Sequence, residues 1–239
     1  MSSKPSTFAT YRFALIICVV CSFFLALVSE GLRPQKEKNA ALDVKKNILK
    51  AVNLKQPLGK KTSAKEIEET YSRVIEEKVI DPKGNVVEGK TPADIKEGEA
   101  LYPLYVYKEG QQVISYAFPI IGKGLWSTLY GYLALEPNAM TVRGITYYKH
   151  GETPGLGAEI EKDWFQNNFK GKSIWDMKDQ ELWPVAVIKG KVADQISDPN
   201  KAKHYVDGIS GATMTSKGVT EMIAREVRKY EPFLAKVRR

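Results

Sequence analysis

The sequence has few of the residues that build disulfide frameworks and metal centres. It contains two cysteines and two histidines among 239 residues, too few for a disulfide-stapled scaffold or a four-ligand zinc site. The 18 glycines and 12 prolines follow no repeat period, which excludes collagen-like and low-complexity chains. The remaining composition, 43% hydrophobic and 27% charged, is ordinary for a globular protein. We therefore expect a folded chain without a metal site.

Charge of neither sign dominates the surface. There are 36 Lys and Arg residues against 28 Asp and Glu residues, a formal net charge of +8. A basic surplus of this size is compatible with nucleic acid or anionic lipid as a partner, but it indicates neither by itself.

One apolar run lies near the N-terminus. Residues 13–29 contain no charged side chain, and a helix of that length is about 25 Å long, close to the thickness of a bilayer core. No A-x-A cleavage pattern precedes Glu30, so we predict an uncleaved membrane anchor, with a cleaved signal peptide as the alternative. Both cysteines, Cys18 and Cys21, lie in this run, where packing is the simplest role for them.

The charges beside the apolar run do not decide its orientation. Lys4 and Arg12 precede it, and three basic residues follow it closely. Because the positive-inside rule compares these two counts, and they are nearly equal, either side of the membrane is possible for the rest of the chain.

Apolar periodicity predicts two helices after the anchor. The first is indicated by Ala41, Val44, Ile48 and Val52. The second is indicated by Ile67, Tyr71, Val74, Ile75 and Val79, with Ser63 and Glu66 as a capping box. Turns are predicted at residues 56–61 and 81–85, where Pro and Gly occur together.

The middle of the chain is rich in β-forming residues and the end is helical. Short runs of Val, Ile, Tyr and Phe predict strands at residues 104–107, 113–121, 129–135, 142–149 and 185–188. A short helix is predicted near residues 164–169, and a final helix with Ser216 as its N-cap. The expected fold class is α+β, divided into an anchor (1–30), a membrane-proximal helical part (31–100) and an α+β domain (101–239).

The most informative segment precedes the final helix. Residues 207–216 read DGISGATMTS and combine two glycines with four hydroxyl side chains. A helix N-terminus with free backbone N–H groups favours a phosphate. The alternative is an elaborate helix cap without a ligand.

A second glycine-rich segment follows a predicted strand. Residues 151–157 read GETPGLG, in which two glycines flank Leu156 and leave backbone amides beside an apolar side chain. This arrangement suits a flat heteroaromatic ring with polar edges. A tight structural loop is the alternative.

Together these segments resemble a known family. The pattern S-G-A-T-x-T-S after Asp207 is similar to the signature of domains that carry FMN covalently on a threonine. The E-T-P-G-L-G loop accompanies it in the C subunit of sodium-translocating NADH:quinone reductases and in the Rnf-complex counterpart. The segment G-L-W-S-T at residues 124–128 and the H-G-E at 150–152 resemble the reductase family more closely. Ala158 stands where the family has a further glycine.

The resemblance implies the cofactor and its contacts. It implies a phosphoester between the side-chain oxygen of Thr213 and the phosphate of FMN, made from FAD by a dedicated flavin transferase. The residues that would seat the phosphate are Ser210, Gly211, Ala212 and Thr215. Those that would border the isoalloxazine ring are Glu152, Thr153, Leu156 and Gly157, with Trp126, Ser127 and Thr128 nearby.

The resemblance also implies a function and a location. It implies an electron-relay subunit of a membrane-bound, Na⁺-translocating NADH:quinone oxidoreductase, a translocase, with no NADH or quinone site of its own. The expected partners are the other subunits of the complex, the flavin transferase and membrane lipid, but not nucleic acid. The implied location is the bacterial inner membrane, with one span and a periplasmic domain. The alternatives are the flavin subunit of an Rnf-type ferredoxin:NAD complex and a membrane-tethered binding protein without cofactor.

Overall fold

The computed structural model describes residues 7–54 and 62–238. The turn predicted at residues 56–61 lies outside these described residues. The chain forms two compact units, Met1–Asp43 and Val44–Arg239. The finer division expected at residues 30 and 100 stays a prediction.

The first unit consists of helix α1 and the start of α2. Helix α1 spans Thr7–Gly31 and none of its residues is buried. Within the described ranges it is the one helix long and apolar enough to cross a membrane by length and composition. Helix α2 spans Arg33–Ala51, so its last turns belong to the second unit.

The second unit is built on a five-stranded antiparallel sheet in the order β1-β2-β3-β4-β5. Its strands are Ile75–Ile80, Tyr102–Glu109, Gln112–Lys123, Thr128–Leu135 and Val142–Lys149. The predicted strands between residues 104 and 149 lie within β2 to β5, and the α+β class is confirmed. From β2 to β5 the strands follow one another through short turns, a connection that only antiparallel neighbours allow.

The second predicted helix is wrong in its C-terminal half. Helix α3 spans Ala64–Val74, and the Oγ of Ser63 accepts the N–H of Glu66 at 3.2 Å, one of the two hydrogen bonds of the predicted capping box. The chain then passes directly into β1, which pairs with β2. Buried Ile75 and Val79 are four residues apart, a spacing that fits one face of a strand as well as one face of a helix. Pairing with β2 supplies hydrogen-bond partners for the backbone of this segment, and therefore favours the strand over the helix.

Small elements follow the sheet and lead to one long helix. They are a 3-10 helix (Gly157–Glu161), α4 (Asp163–Asn167), β6 (Trp175–Asp176), β7 (Glu181–Leu182), β8 (Ala186–Val187), α5 (Val192–Gln195), α6 (Pro199–Ala202) and β9 (Tyr205–Val206). A 3-10 helix at Pro92–Asp94 lies between β1 and β2. The predicted short helix corresponds to α4, and the predicted strand at 185–188 to β8. Helix α7 spans Thr213–Val237.

Helix α7 covers one face of the sheet. Met222, Val219 and Ile223 join a core with Phe118 and Ile120 of β3. The other face carries residues of opposite parity, and there the end of α2 approaches β5, because a Cβ on Gly144 would meet the carbonyl of Ala51. The sheet is therefore buried on both faces, and the N-terminal part of α7 lies beside the end of β3, because a Cβ on Gly218 would meet the carbonyl of Lys123.

Candidate functional site

The site begins where α7 begins. The first helical residue is Thr213, and Ala212 occupies the N-cap position. The predicted N-cap, Ser216, is wrong: it lies in the first turn, and its N–H donates to the carbonyl of Ala212 at 2.9 Å. The reason is Gly211, whose φ of +73° is a left-handed conformation that turns the chain into the helix earlier than predicted.

Two threonines in this first turn have opposite surroundings. The side chain of Thr213 is exposed at the first helical position. Thr215 is 1% exposed, and its Oγ1 donates to Oε2 of Glu152 at 2.6 Å. Ser210 is exposed and Ala212 is buried. Thr213 therefore presents a hydroxyl to solvent at the N-terminus of a long helix, whereas the hydroxyl of Thr215 is occupied.

The carboxylate of Glu152 joins two loops to α7. Glu152 is 5% exposed, and it accepts the N–H groups of Leu125 at 3.1 Å, Trp126 at 2.9 Å and Ser127 at 3.2 Å. Burial raises its pKa, but the hydrogen bonds from Thr215 and the three amides outweigh burial and hold the pKa below its ordinary value. The group is therefore a buried anion stabilised by hydrogen bonds.

Glycines allow the loops to approach this carboxylate closely. A Cβ on Gly157 would lie 2.6 Å from Oγ1 of Thr215, and one on Gly211 would lie 2.7 Å from Cδ2 of Leu156. Both distances are too short for real atoms, so a larger residue at either position would displace its neighbour. The N–H of Gly151 also donates to Oγ of Ser127 at 2.5 Å. The G-E-T-P-G-L-G segment thus packs against both the 124–128 segment and the start of α7.

Large apolar side chains are exposed around this junction. They are Leu125 (48% exposed), Trp126 (71%), Leu156 (41%) and Met214 (56%), and we call these four residues the apolar rim. Exposed apolar groups beside free helix amides are typical of a site for a flat ring with an anionic tail. The residues present therefore fit FMN.

The structure brings most of the predicted site residues together through these contacts. They are Trp126, Ser127, Glu152, Leu156, Gly157, Gly211 and Thr215. Thr153 and Thr128 are exposed and lie close to these residues in the chain. The carbonyl of Thr153 accepts the N–H of Leu156 at 3.1 Å. Thr128 is the first residue of β4. Sequence reasoning missed Leu125 and Met214 as exposed apolar groups. Leu125 lies in the 124–128 segment and Met214 in the 207–216 segment, so position within a recognised motif was the available signal.

Comparison with known proteins defines the class of this site. A family model described as FMN-binding domain matches residues 124–227, the stretch that contains the apolar rim, Glu152 and Thr213. Residues 124–227 are thus an FMN-binding domain.

Relatives over the whole chain define the family. The chain is 34% identical to the C subunit of the Na(+)-translocating NADH-quinone reductase of Pseudomonas aeruginosa, covering 100% of this chain and 99% of the relative. It is 33% identical to the protein of the same name from Yersinia pestis, covering 99% and 97%. The chain belongs to the family of C subunits of Na(+)-translocating NADH-quinone reductases.

Solved structures share the fold. A crystal structure of the C subunit of the Na(+)-translocating NADH-quinone reductase from Parabacteroides distasonis aligns with a TM-score of 0.71 at 36% identity, covering 85% of this chain and 96% of that one. A chain from Shewanella oneidensis aligns with a TM-score of 0.70 at 24% identity, covering 85% and 98%, and supports the fold alone.

Proposed function

We propose that this chain is the electron-relay subunit of a Na⁺-translocating NADH:quinone reductase and carries FMN as a phosphoester on Thr213. The observation that carries the proposal is the contrast between two hydroxyls of one helical turn. Thr213 is exposed at the first position of α7, whereas the hydroxyl of Thr215 is buried against Glu152. A modifying enzyme has access to the first and not to the second.

The residues around Thr213 suit both ends of the cofactor. The N-terminus of α7 offers unpaired amides and the positive end of a helix dipole, which stabilise a phosphate. The residues expected to seat the phosphate precede or belong to the first turn of this helix: Ser210, Gly211, Ala212 and Thr215. The apolar rim, with Thr153 and Thr128 close by, would take the ring. When bound, FMN supplies the redox chemistry, and the chain supplies its position and its surroundings.

The proposed attachment is a group transfer from FAD to Thr213, in which atoms and charge balance. In the proposed reaction Oγ1 of Thr213 attacks the flavin-side phosphorus of FAD, and a dedicated flavin transferase holds the FAD. The diphosphate bond breaks, AMP leaves and the hydroxyl proton is released. Nothing is oxidised or reduced in this step, so the finished ester holds FMN through repeated redox cycles.

The relatives' names support the assembly. They are subunits of an NADH-quinone reductase that translocates Na⁺. We infer that the other subunits of such a complex are the electron donor and acceptor of this chain.

The family resemblance favours an anchor in the inner membrane and a periplasmic second unit. Labelling of single cysteines beyond residue 44 by an impermeant thiol reagent in spheroplasts tests this orientation, and labelling only before Arg12 would contradict it.

The deciding experiment is an intact-mass measurement of the chain purified from its native membrane. We expect the mass of the polypeptide plus one esterified FMN and a fluorescent band after denaturing electrophoresis. Thr213→Ala should lose both signals. A colourless wild-type protein of unmodified mass would instead indicate a cofactor-free binding protein, and fluorescence that survives in Thr213→Ala would overturn the assignment to this residue.

A further inference from the structure

We propose that Glu152 is a positioning residue of the flavin site: its carboxylate fixes the backbone of Trp126 relative to the first turn of α7. This role rests on the proposed function, because its purpose is to set where the indole lies beside a group on Thr213. Glu152 acts through Trp126 and α7, because its buried carboxylate accepts from the backbone of Trp126 and from the side chain of Thr215.

Both oxygens of Glu152 are fully engaged. Oε1 accepts from Trp126 and Ser127, and Oε2 accepts from Leu125 and Thr215. Three consecutive amides and one hydroxyl converge on a single carboxylate. Both oxygens of an ionised carboxylate act only as hydrogen-bond acceptors, which matches four donors. A side-chain amide in its place would present an N–H₂ donor to two of these donors.

The carboxylate has little room to move. A Cβ on Gly124 would lie 2.5 Å from Oε1 of Glu152, and a Cβ on Gly157 would lie 2.8 Å from Oε2. The two loops therefore close over the group from both sides. The donors that meet it are three amides and one hydroxyl. Loss of the negative charge would thus leave buried donors unpaired.

The position of Trp126 depends on its hydrogen bond to Glu152, because its side chain makes little packing contact. Trp126 is 71% exposed, so packing does not fix the residue, and its backbone N–H donates to Oε1 of Glu152 at 2.9 Å. The hydroxyl of Thr215, two residues from Thr213, donates to the same carboxylate at 2.6 Å. Glu152 therefore connects the Trp126 backbone through two hydrogen bonds to the turn that bears Thr213.

The test compares Glu152→Gln with the wild type, first without flavin. We expect amide hydrogen exchange at residues 125–127 to become about tenfold faster, because charge-assisted hydrogen bonds are lost. The matched control is Glu221→Gln, which removes an exposed carboxylate of α7 that pairs with Lys217 at 3.7 Å. The control should leave exchange at residues 125–127 unchanged.

The same variants are then loaded with FMN by the flavin transferase. Glu152→Gln should keep covalent fluorescence in the gel but change the visible circular dichroism of the flavin and reduce quenching by the indole. Trp126→Ala retains every hydrogen bond to Glu152, so it should fold, keep wild-type exchange at 125 and 127, and show a similar change in dichroism. Wild-type dichroism in either loaded variant overturns the inference. A wild-type chain without covalent FMN overturns the proposed function as well, so the two failures are distinguishable.

Discussion

At the scale of single residues, the proposed attachment of FMN depends on which hydroxyl is accessible. Thr213 and Thr215 share one turn of α7, and the hydroxyl of Thr215 is bonded to Glu152. The residue types do not distinguish them, since both are threonines beside small residues. Burial distinguishes the two threonines. Thr215 is buried and its hydroxyl is bonded within the site, whereas Thr213 is exposed and accessible to a modifying enzyme.

Replacing Thr215 by valine should weaken the fold without removing the cofactor. The change keeps the shape and deletes the donor to Oε2 of Glu152, and a hydrogen bond to a charged group is worth about 1.5–3 kcal/mol. We expect a loss of unfolding free energy of this order in urea, with covalent fluorescence retained. Thr153→Val alters an exposed threonine of the neighbouring loop and should change stability by less than about 0.5 kcal/mol. Loss of covalent flavin from the Thr215 variant would show that the ester had been assigned to the wrong hydroxyl.

Glu152 should also make stability depend on pH. Its pKa in the folded chain lies below the ordinary value of 4.5, so the unfolded chain binds the proton more readily. Its contribution is therefore complete above pH 4.5 and is lost as the pH falls through the folded pKa. We expect the urea midpoint of the wild type to fall more steeply below this ordinary pKa than that of Glu152→Gln. Parallel curves for the two proteins would show that this carboxylate is not the group that titrates.

At the scale of elements, periodicity located the helices and strands but not every boundary. The spacing of Tyr71, Ile75 and Val79 fits a helix, and the chain changes to a strand at Ile75 because β2 pairs with it there. Likewise Gly211, not a hydroxyl side chain, determines where α7 begins. Both deviations arise from backbone geometry and non-local pairing, which a local pattern of side chains does not contain.

The turn between β1 and β2 supports the C-terminal half of α7. Residues 81–85 form the turn that the sequence predicts, with Asp81 Oδ1 accepting the N–H of Lys83 and of Asn85 at 2.8 Å. Gly84 has a φ of +71°, and a Cβ there would collide with the backbone of Pro232 and Phe233 in α7. The turn and the helix therefore pack in direct backbone contact at this glycine.

Alanine at Gly84 should be strongly destabilising. Gly89 is a matched control, because its φ is +72° and nothing lies within 4 Å of a Cβ there. Gly89→Ala should lower the unfolding free energy by about 1–2 kcal/mol, the penalty of the left-handed conformation. Gly84→Ala should lose clearly more, since the turn must also move away from α7. Equal losses in thermal or urea unfolding would show that this contact contributes nothing.

At the scale of the whole molecule, three distant segments meet to form the site: residues 124–127, 150–157 and 207–216. Their motifs were recognisable in the sequence, and so was Thr213 as the residue expected to bear FMN. What the sequence could not show is that Glu152 is buried among amides and bonded to Thr215, because that arrangement requires β4, β5 and α7 to be in place.

The second unit should function as a flavin carrier without the anchor. Helix α1 has no buried residue, and the buried hydrophobic residues of the described ranges run from Ile48 to Leu234, so a chain of residues 30–239 should lose no packing. Exported with a cleavable signal and made alongside the flavin transferase, it should be soluble and yellow, with a thermal midpoint near that of the full chain in detergent. Dithionite should bleach it, whereas NADH alone should not, because a relay receives its electrons from a partner subunit. Rapid bleaching by NADH in a stopped-flow spectrometer would identify the domain as a dehydrogenase and contradict its role as a relay.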